Sequence, residues 1–119
     1  EAPILNYTNR NNGRIHWTIG LEYNSSLEQI KNFTTVIALY IKNNKNFIVN
    51  DNFKSFIRLD KFNDSSIDIL IYCFTSTNDW EKFLTIKEDL AIKIKEEVES
   101  LGLNFAFPSQ SLYIEKTSN

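Results

Sequence analysis

The chain has 119 residues, which suits a single domain, and 42% of them are hydrophobic, enough to form a core. Its formal net charge of −2 gives no electrostatic support for a nucleic-acid partner, and its one cysteine, Cys73, excludes an intrachain disulfide framework. No apolar run approaches the about 20 residues of a membrane-spanning helix, and no signal-peptide pattern opens the chain. We therefore expect a soluble protein or the soluble part of a longer one.

The first clear element is a strand from Arg14 to Tyr23, where apolar and polar residues alternate. Such alternation predicts a strand with one face on a core. Residues 1–13 before it are turn-rich, and we interpret them as a linker or the tail of a preceding element. The residues expected on the core face of the strand are Ile15, Trp17, Ile19, Leu21 and Tyr23.

A helix is predicted to follow this strand. The sequence from Ser25 to Glu28 has the form of a capping box, a hydroxyl residue three positions before a carboxylate. The helix should end near Asn43, and residues 43–52 are predicted to form a loop. Its apolar side is predicted to consist of Leu27, Ile30, Phe33, Ile37, Tyr40 and Ile41.

Two strands joined by a turn come next. The first is predicted from Phe53 to Leu59, with Phe53, Ile57 and Leu59 facing inward. Residues 62–65 have turn chemistry, so this strand should form a hairpin with residues 66–74. In the second strand of the hairpin, the residues expected to face the core are Ile67, Ile69, Ile71 and Cys73.

The stretch from residue 65 to residue 110 reads as strand, helix, glycine stop and returning strand. Asn78 is predicted to cap a helix from Trp80, with Glu81 as its capping-box partner. Gly102 should end this helix at the C′ position, and a short aromatic strand should run to Pro108, followed by a last strand at residues 112–115. The apolar residues at helical spacing are Phe83, Leu84, Leu90, Ala91, Ile94, Val98 and Leu101.

The element order β-α-β-β-α-β predicts an α+β fold of the ferredoxin-like, or split βαβ, type with an additional C-terminal strand. Both helices should cover one face of an antiparallel sheet. We expect residues 14–110 to form this domain. Residues 1–13 would be the tail of a preceding β domain or a linker, and residues 111–119 the C-terminal strand and tail.

Side chains that would indicate catalysis are sparse. One histidine, His16, and one cysteine, Cys73, do not supply the three or four convergent ligands of a metal site. Cys73 alternates with isoleucines, as a small core residue would, and the three glycines are too dispersed for a phosphate-binding loop. We therefore expect no enzyme activity, no cofactor and no metal.

Two binding functions share the ferredoxin-like layout. RNA-recognition domains need a basic and aromatic signature on a central strand, whereas the third strand carries Asp68, so we expect no nucleic-acid partner. Small-molecule regulatory domains stay open as an alternative, because their sites are often built between subunits and leave little local motif. Ile92 lies among charged residues, away from the apolar stripe of the second helix, and we predict that it contacts a partner.

Several segments carry a further signal in their order and spacing. They are residues 4–15, the IGLEY strand at residues 19–23, residues 64–74 followed by Trp80, and the glycine-to-FPSQ segment at residues 102–110. Together they resemble the cytoplasmic C-terminal region of the small-conductance mechanosensitive channel (MscS) family over nearly the whole chain. The form of Tyr72-Cys73-Phe74 and of Phe105-Ala106-Phe107-Pro108 resembles the YnaI-like branch more than the archetype of the family.

This resemblance implies a function that the residues alone do not. It implies a homo-heptamer in the full-length protein, held in the cell inner membrane by helices that precede this segment. The segment itself would wall a cytoplasmic vestibule that supports assembly, solute filtering and gating. A free-standing small-molecule-binding regulatory domain is the alternative.

The resemblance also implies candidate site residues. Portals between subunits would lie near Asn6, Tyr7, Thr8 and Arg14, at the junction with the preceding domain. The apolar chain end invites pairing with another copy. With Ile92, the subunit-interface candidates are Phe105, Phe107, Pro108, Gln110, Leu112, Tyr113 and Ile114.

Overall fold

A computed structural model describes residues 13–106, which form a four-stranded sheet and two helices. Predictions for residues 1–12 and 107–119 lie outside the described residues. The predicted α+β, ferredoxin-like arrangement is confirmed. In chain order the elements are β1 (Arg14–Leu21), α1 (Leu27–Lys42), β2 (Phe47–Ile48), β3 (Phe56–Phe62), β4 (Ile67–Thr75) and α2 (Trp80–Ser100).

Strand β4 is the centre of the sheet, and the other three strands pair with it in antiparallel fashion. β1 covers one edge of β4, from Arg14 opposite Phe74 to Leu21 opposite Ile67. β3 covers the other edge, and the short β2 pairs with the end of β4 beyond it. After α2 the chain returns to the free edge of β1, where Phe105 forms an antiparallel bridge with Leu21. Within the described residues, the predicted returning strand consists of this bridge.

The core lies between the sheet and the two helices. The four β4 residues predicted to face inward are all buried, at 3% exposure or less. Buried side chains from both helices join them in a single cluster, so both helices cover the same face of the sheet. The helix residues in that cluster are Ile30, Phe33, Ile37 and Ile41 of α1, and Phe83, Ile86, Leu90, Ile94 and Val98 of α2.

The capping box of α1 lies one residue later than predicted. Ser26, not Ser25, is the N-cap, and its hydroxyl accepts a hydrogen bond from the Gln29 backbone N–H at 3.1 Å. The Gln29 side-chain oxygen accepts in return from the Ser26 N–H at 2.9 Å. Ser25 lies before the helix, and its hydroxyl donates to the Glu22 carbonyl at 2.6 Å. The Gln29 amide also donates to the Leu101 carbonyl at 2.9 Å, which ties the start of α1 to the end of α2.

The cap of α2 is also shifted by one residue. Asp79, not Asn78, is the N-cap, and its carboxylate accepts from the Lys82 N–H at 2.9 Å. A carboxylate at this position is favoured over an amide because it also interacts with the positive end of the helix dipole. The predicted stop is confirmed, since Gly102 has a φ of 75° directly after the C-cap Leu101. Only glycine adopts this conformation readily.

The strand predictions before β4 were partly wrong. The predicted loop at residues 43–52 contains β2, which is only two residues long and too short to show a period-two pattern. The strand predicted from Phe53 to Leu59 instead runs from Phe56 to Phe62, and Phe53 does not face the core. The Phe53 ring packs against that of Phe74, 5.2 Å between centroids, because residue 74 points to the opposite side from the core-facing positions of β4.

Four residues predicted to lie on apolar faces are exposed. Leu27 is the first residue of α1 and is 64% exposed. Leu84 and Ala91 lie on the side of α2 next to its buried stripe. Tyr23 lies beyond the end of β1, and its ring stacks on that of Phe62 at 6.3 Å.

Candidate interaction surfaces

Three of the predicted site residues lie within the described part of the chain, and they belong to three different surfaces. Arg14 is exposed at the start of β1, on the sheet face without helices. Ile92 is 51% exposed on the outer side of α2. Phe105 is half-buried against the core at the free edge of β1. The predicted residues outside the described range are Asn6, Tyr7, Thr8, Phe107, Pro108, Gln110, Leu112, Tyr113 and Ile114.

The sheet face that no helix covers, here called the open face, carries a group of aromatic side chains. The β-pairing places Phe56, Tyr72 and His16 in one row across β3, β4 and β1. The centroid of the Tyr72 ring lies 6.0 Å from that of Phe56 and 5.5 Å from that of His16. Phe74 extends the group, with its ring edge-on to Tyr72 at 5.4 Å.

None of the predictions from the sequence named the open face as a surface. The signal was present, because Tyr72 and Phe74 alternate with the core-facing residues of the same strand and so must point away from the helices. Aromatic residues at such positions are partly protected by one another. Asp68 also points outward on β4 but is only 6% exposed. Ser66 and Asn63 donate hydrogen bonds to its carboxylate, which satisfies the buried charge.

A small apolar groove adjoins Phe105 at the free edge of β1. It has a volume of about 320 Å³, between the strand and α2. Phe105, predicted as a subunit-interface residue, packs here against the core of its own chain, and its contact with another copy stays a prediction. The groove is lined by Trp17, Ile19, Ala91, Ile94, Lys95 and Phe105.

A second groove lies between the C-terminal half of α1 and the middle of α2. It has a volume of about 510 Å³ and includes Tyr40, Lys93 and Asn44 among its lining residues. Burial, followed by the nearby Asp89 carboxylate, raises the pKa of the Tyr40 hydroxyl. The Lys93 ammonium lies 5.7 Å from the centre of the Tyr40 ring, a cation–π distance. These contacts hold the two helices together, and they do not form an acid–base pair.

The cysteine and the candidate metal ligands among the described residues do not form a reactive site. Cys73 is fully buried, as predicted, and burial raises the pKa of its thiol to about 12, so it is not a nucleophile at neutral pH. Among residues 13–106, no cluster of three or more His, Cys, Asp or Glu side chains is placed to hold a metal ion. Neither α1 nor α2 combines the length and the apolar character needed to cross a membrane.

Comparison with protein families gives one match that spans the described fold. The family model for "Mechanosensitive ion channel MscS, C-terminal" matches residues 15–105. An MscS family protein of Aquifex aeolicus is 40% identical over 113 residues, which are 95% of this chain and 30% of that protein. The low conductance mechanosensitive channel YnaI of Escherichia coli is 35% identical over 87% of this chain and 29% of its own length.

Solved structures share the fold at low sequence identity. The closed state of Helicobacter pylori MscS matches 83% of this chain and 36% of that chain, with a TM-score of 0.63 and 21% identity. MSL1 of Arabidopsis thaliana matches 82% of this chain and 35% of that chain, with a TM-score of 0.67 and 12% identity. The chain thus spans about a third of the length of the proteins that it matches.

Proposed function

We propose that this chain, which belongs to the MscS family of mechanosensitive ion channels, works as a wall segment of a vestibule on the cytoplasmic side of such a channel. The match that carries this proposal begins one residue after the start of β1 and ends at Phe105, so it covers nearly all of the described fold. Bilayer tension would act on membrane helices in another part of the polypeptide. This segment would act through subunit packing.

A rigid fold suits that role. β4 is hydrogen-bonded on both edges, and its core-facing side chains are fully enclosed. Coupling of the vestibule to gating then requires rigid-body movement of whole domains at their contacts, since packed cores do not deform continuously. The wall would bias closed against open states by the fit between neighbouring copies, and it would filter solutes through gaps between them.

The junction at the start of β1 supports a fixed geometry between this domain and the chain before it. The Gly13 carbonyl accepts a hydrogen bond from the Thr75 N–H at 2.8 Å, and the Gly13 N–H donates to the Thr77 carbonyl at 3.4 Å. A chain held here enters the sheet in a defined direction. We place the portals between subunits near this junction, at Asn6, Tyr7, Thr8 and Arg14.

We further propose a homo-heptamer in the inner membrane, with the C-terminal residues Leu112, Tyr113 and Ile114 joining the copies at the base. The apolar groove beside Phe105 supports this proposal, because it offers an apolar surface close to the last described residues. Phe107, Pro108 and Gln110 would belong to the same contact. The alternative function, a free-standing regulatory domain, is not favoured, because the relatives that match this chain are channel-family proteins.

The test is electrical. The full-length protein is reconstituted in liposomes, and patches are stretched by graded suction. We expect currents that open with tension and an oligomer of uniform mass in detergent. A full-length gene without apolar spans of about 20 residues, or liposomes that show no tension-dependent current while a known channel does, would overturn the proposal.

A further inference from the structure

The open face has a pattern of charge and apolar surface along one diagonal. Arg14 on β1, Tyr72 on β4 and Arg58 on β3 occupy three successive rows of outward positions, with Tyr72 in the middle. From strand spacing and rise per residue, the two arginine Cα atoms lie about 16 Å apart. The Arg14 guanidinium lies 5.9 Å from the centre of the Tyr72 ring, and that of Arg58 lies 5.8 Å from the centre of Phe56. The diagonal therefore reads cation, aromatic, cation.

The outer side of α2 has the complementary pattern. Ile92 lies directly opposite the buried stripe of the helix, and Glu88 and Glu96 lie one turn before and after it. All three side chains are exposed. The two glutamate Cα atoms lie about 12 Å apart along the helix, and long side chains on both surfaces can take up the remaining few ångströms. This line reads carboxylate, apolar, carboxylate.

The two patterns lie on opposite sides of the molecule. Both helices cover one face of the sheet, so the outer side of α2 and the open face point in opposite directions. A single chain cannot bring them together, but two copies can. Such a head-to-tail contact is heterologous, and repetition of it generates a ring when the rotation closes.

We infer that the outer side of α2, centred on Ile92, docks on the open face of a neighbouring copy, centred on Tyr72. Ile92 would pack on the aromatic row, while Glu88 and Glu96 meet the two arginines. This inference builds on the assembly of several copies in the proposed function and assigns the contact between them. Oppositely charged groups around an apolar centre are the usual arrangement of a specific protein interface.

Charge complementarity selects a second copy over other occupants of the open face. A nucleic acid would need exposed ring faces for stacking, whereas the Tyr72 ring meets His16 and Phe74 edge-on within a packed group. The exposed glutamates on the outer side of α2 of a second copy supply the negative charge that fits the two arginines.

The first test is cross-linking in the full-length protein in membranes. A chain with both His16→Cys and Ile92→Cys is oxidised, and we expect a ladder of covalent oligomers. The matched control replaces Ile92→Cys by Leu39→Cys, since Leu39 on α1 is 49% exposed and should give no ladder. Cys73 is buried in both proteins and contributes no background. A ladder in the control as strong as in the test, or none in the test while the protein assembles, overturns the inference.

The second test is charge reversal with rescue. Arg58→Glu should weaken assembly of the full-length protein by about tenfold or more, because a carboxylate would face a carboxylate. Adding either Glu88→Arg or Glu96→Arg should restore it, and the one that does reveals the direction of docking. Lys31→Glu on the exposed side of α1 is the control. If neither reversal restores assembly, the contact is wrong, although tension-gated current in the parent protein still supports the proposed function. If the unmutated full-length protein shows neither assembly nor tension-gated current, both the inferred contact and the proposed function are overturned.

Discussion

At the scale of single residues, Gly13 is the glycine, of the three in the chain, at which an added Cβ would have the least room. A Cβ at this position would lie 2.3 Å from Cδ1 and 2.5 Å from Cε1 of the Phe83 ring. Phe83 is buried and stacked on Trp80, with 5.4 Å between the ring centroids, so the ring cannot move away freely. Glycine is required here because backbone and aromatic ring touch.

Gly13→Ala is therefore expected to destabilise the fold by about 1–3 kcal/mol, the usual range for overpacking. Urea unfolding followed by tryptophan fluorescence measures the difference. Gly20→Ala is the matched control, because a Cβ there meets no atom closer than 3.6 Å. Equal midpoints for the Gly13→Ala protein and the parent would show that the Phe83 ring adapts at no cost.

At the scale of elements, the N-terminus of α1 shows how two neighbouring hydroxyl residues divide their roles. Ser25 hydrogen-bonds backward to Glu22, and Ser26 caps the helix. The sequence allowed two capping boxes in adjacent registers, Ser25 with Glu28 or Ser26 with Gln29. The second is selected because the Gln29 amide also reaches the Leu101 carbonyl, whereas a carboxylate has no hydrogen to donate.

Ser26→Ala should accordingly lower the free energy of unfolding by about 1 kcal/mol, the usual value of an N-cap. Glu28→Gln should lower it less, by about 0.3 kcal/mol, since Glu28 is not the partner of the cap and contributes only its first-turn charge at the positive end of the helix dipole. Thermal unfolding monitored by circular dichroism compares the two proteins. A larger loss in Glu28→Gln than in Ser26→Ala would favour the earlier register.

At the scale of the whole molecule, the chain presents an open sheet face, an acidic helix surface and a groove beside the last described strand residue. A monomer would leave the aromatic row in water, with Phe56 and His16 exposed and Tyr72 half-buried, at a cost in apolar surface. Assembly would remove that surface from water without any change in the fold. Contacts between copies are therefore expected to dominate the function.

Deletion of residues 112–119 from the full-length protein is expected to weaken assembly. These residues are the proposed base contact, and their removal leaves the described core intact. Light scattering in detergent should show a lower mass or a mixture of masses, with an unfolding midpoint close to that of the parent. Unaltered oligomer mass after the deletion would remove the base contact from the proposal.

Much of this architecture followed from the sequence because its main signals are local. Period-two isoleucines predicted the centre of the sheet, and Gly102 predicted the end of α2, since each pattern corresponds to one backbone geometry. The two-residue β2 and the shift of β3 to Phe56–Phe62 could not be predicted, because pairing with β4 determines them. Propensity within a short segment does not encode that pairing.

The sequence by itself determined the fold class and family membership, because apolar periodicity, turn residues and motif order are properties of the chain. Only the tertiary structure decided which side chains share a surface. Phe56, Tyr72 and His16 are distant in sequence and meet because β3 and β1 flank β4. The open face and Ile92 likewise lie on opposite sides of the molecule because both helices pack on one side of the sheet.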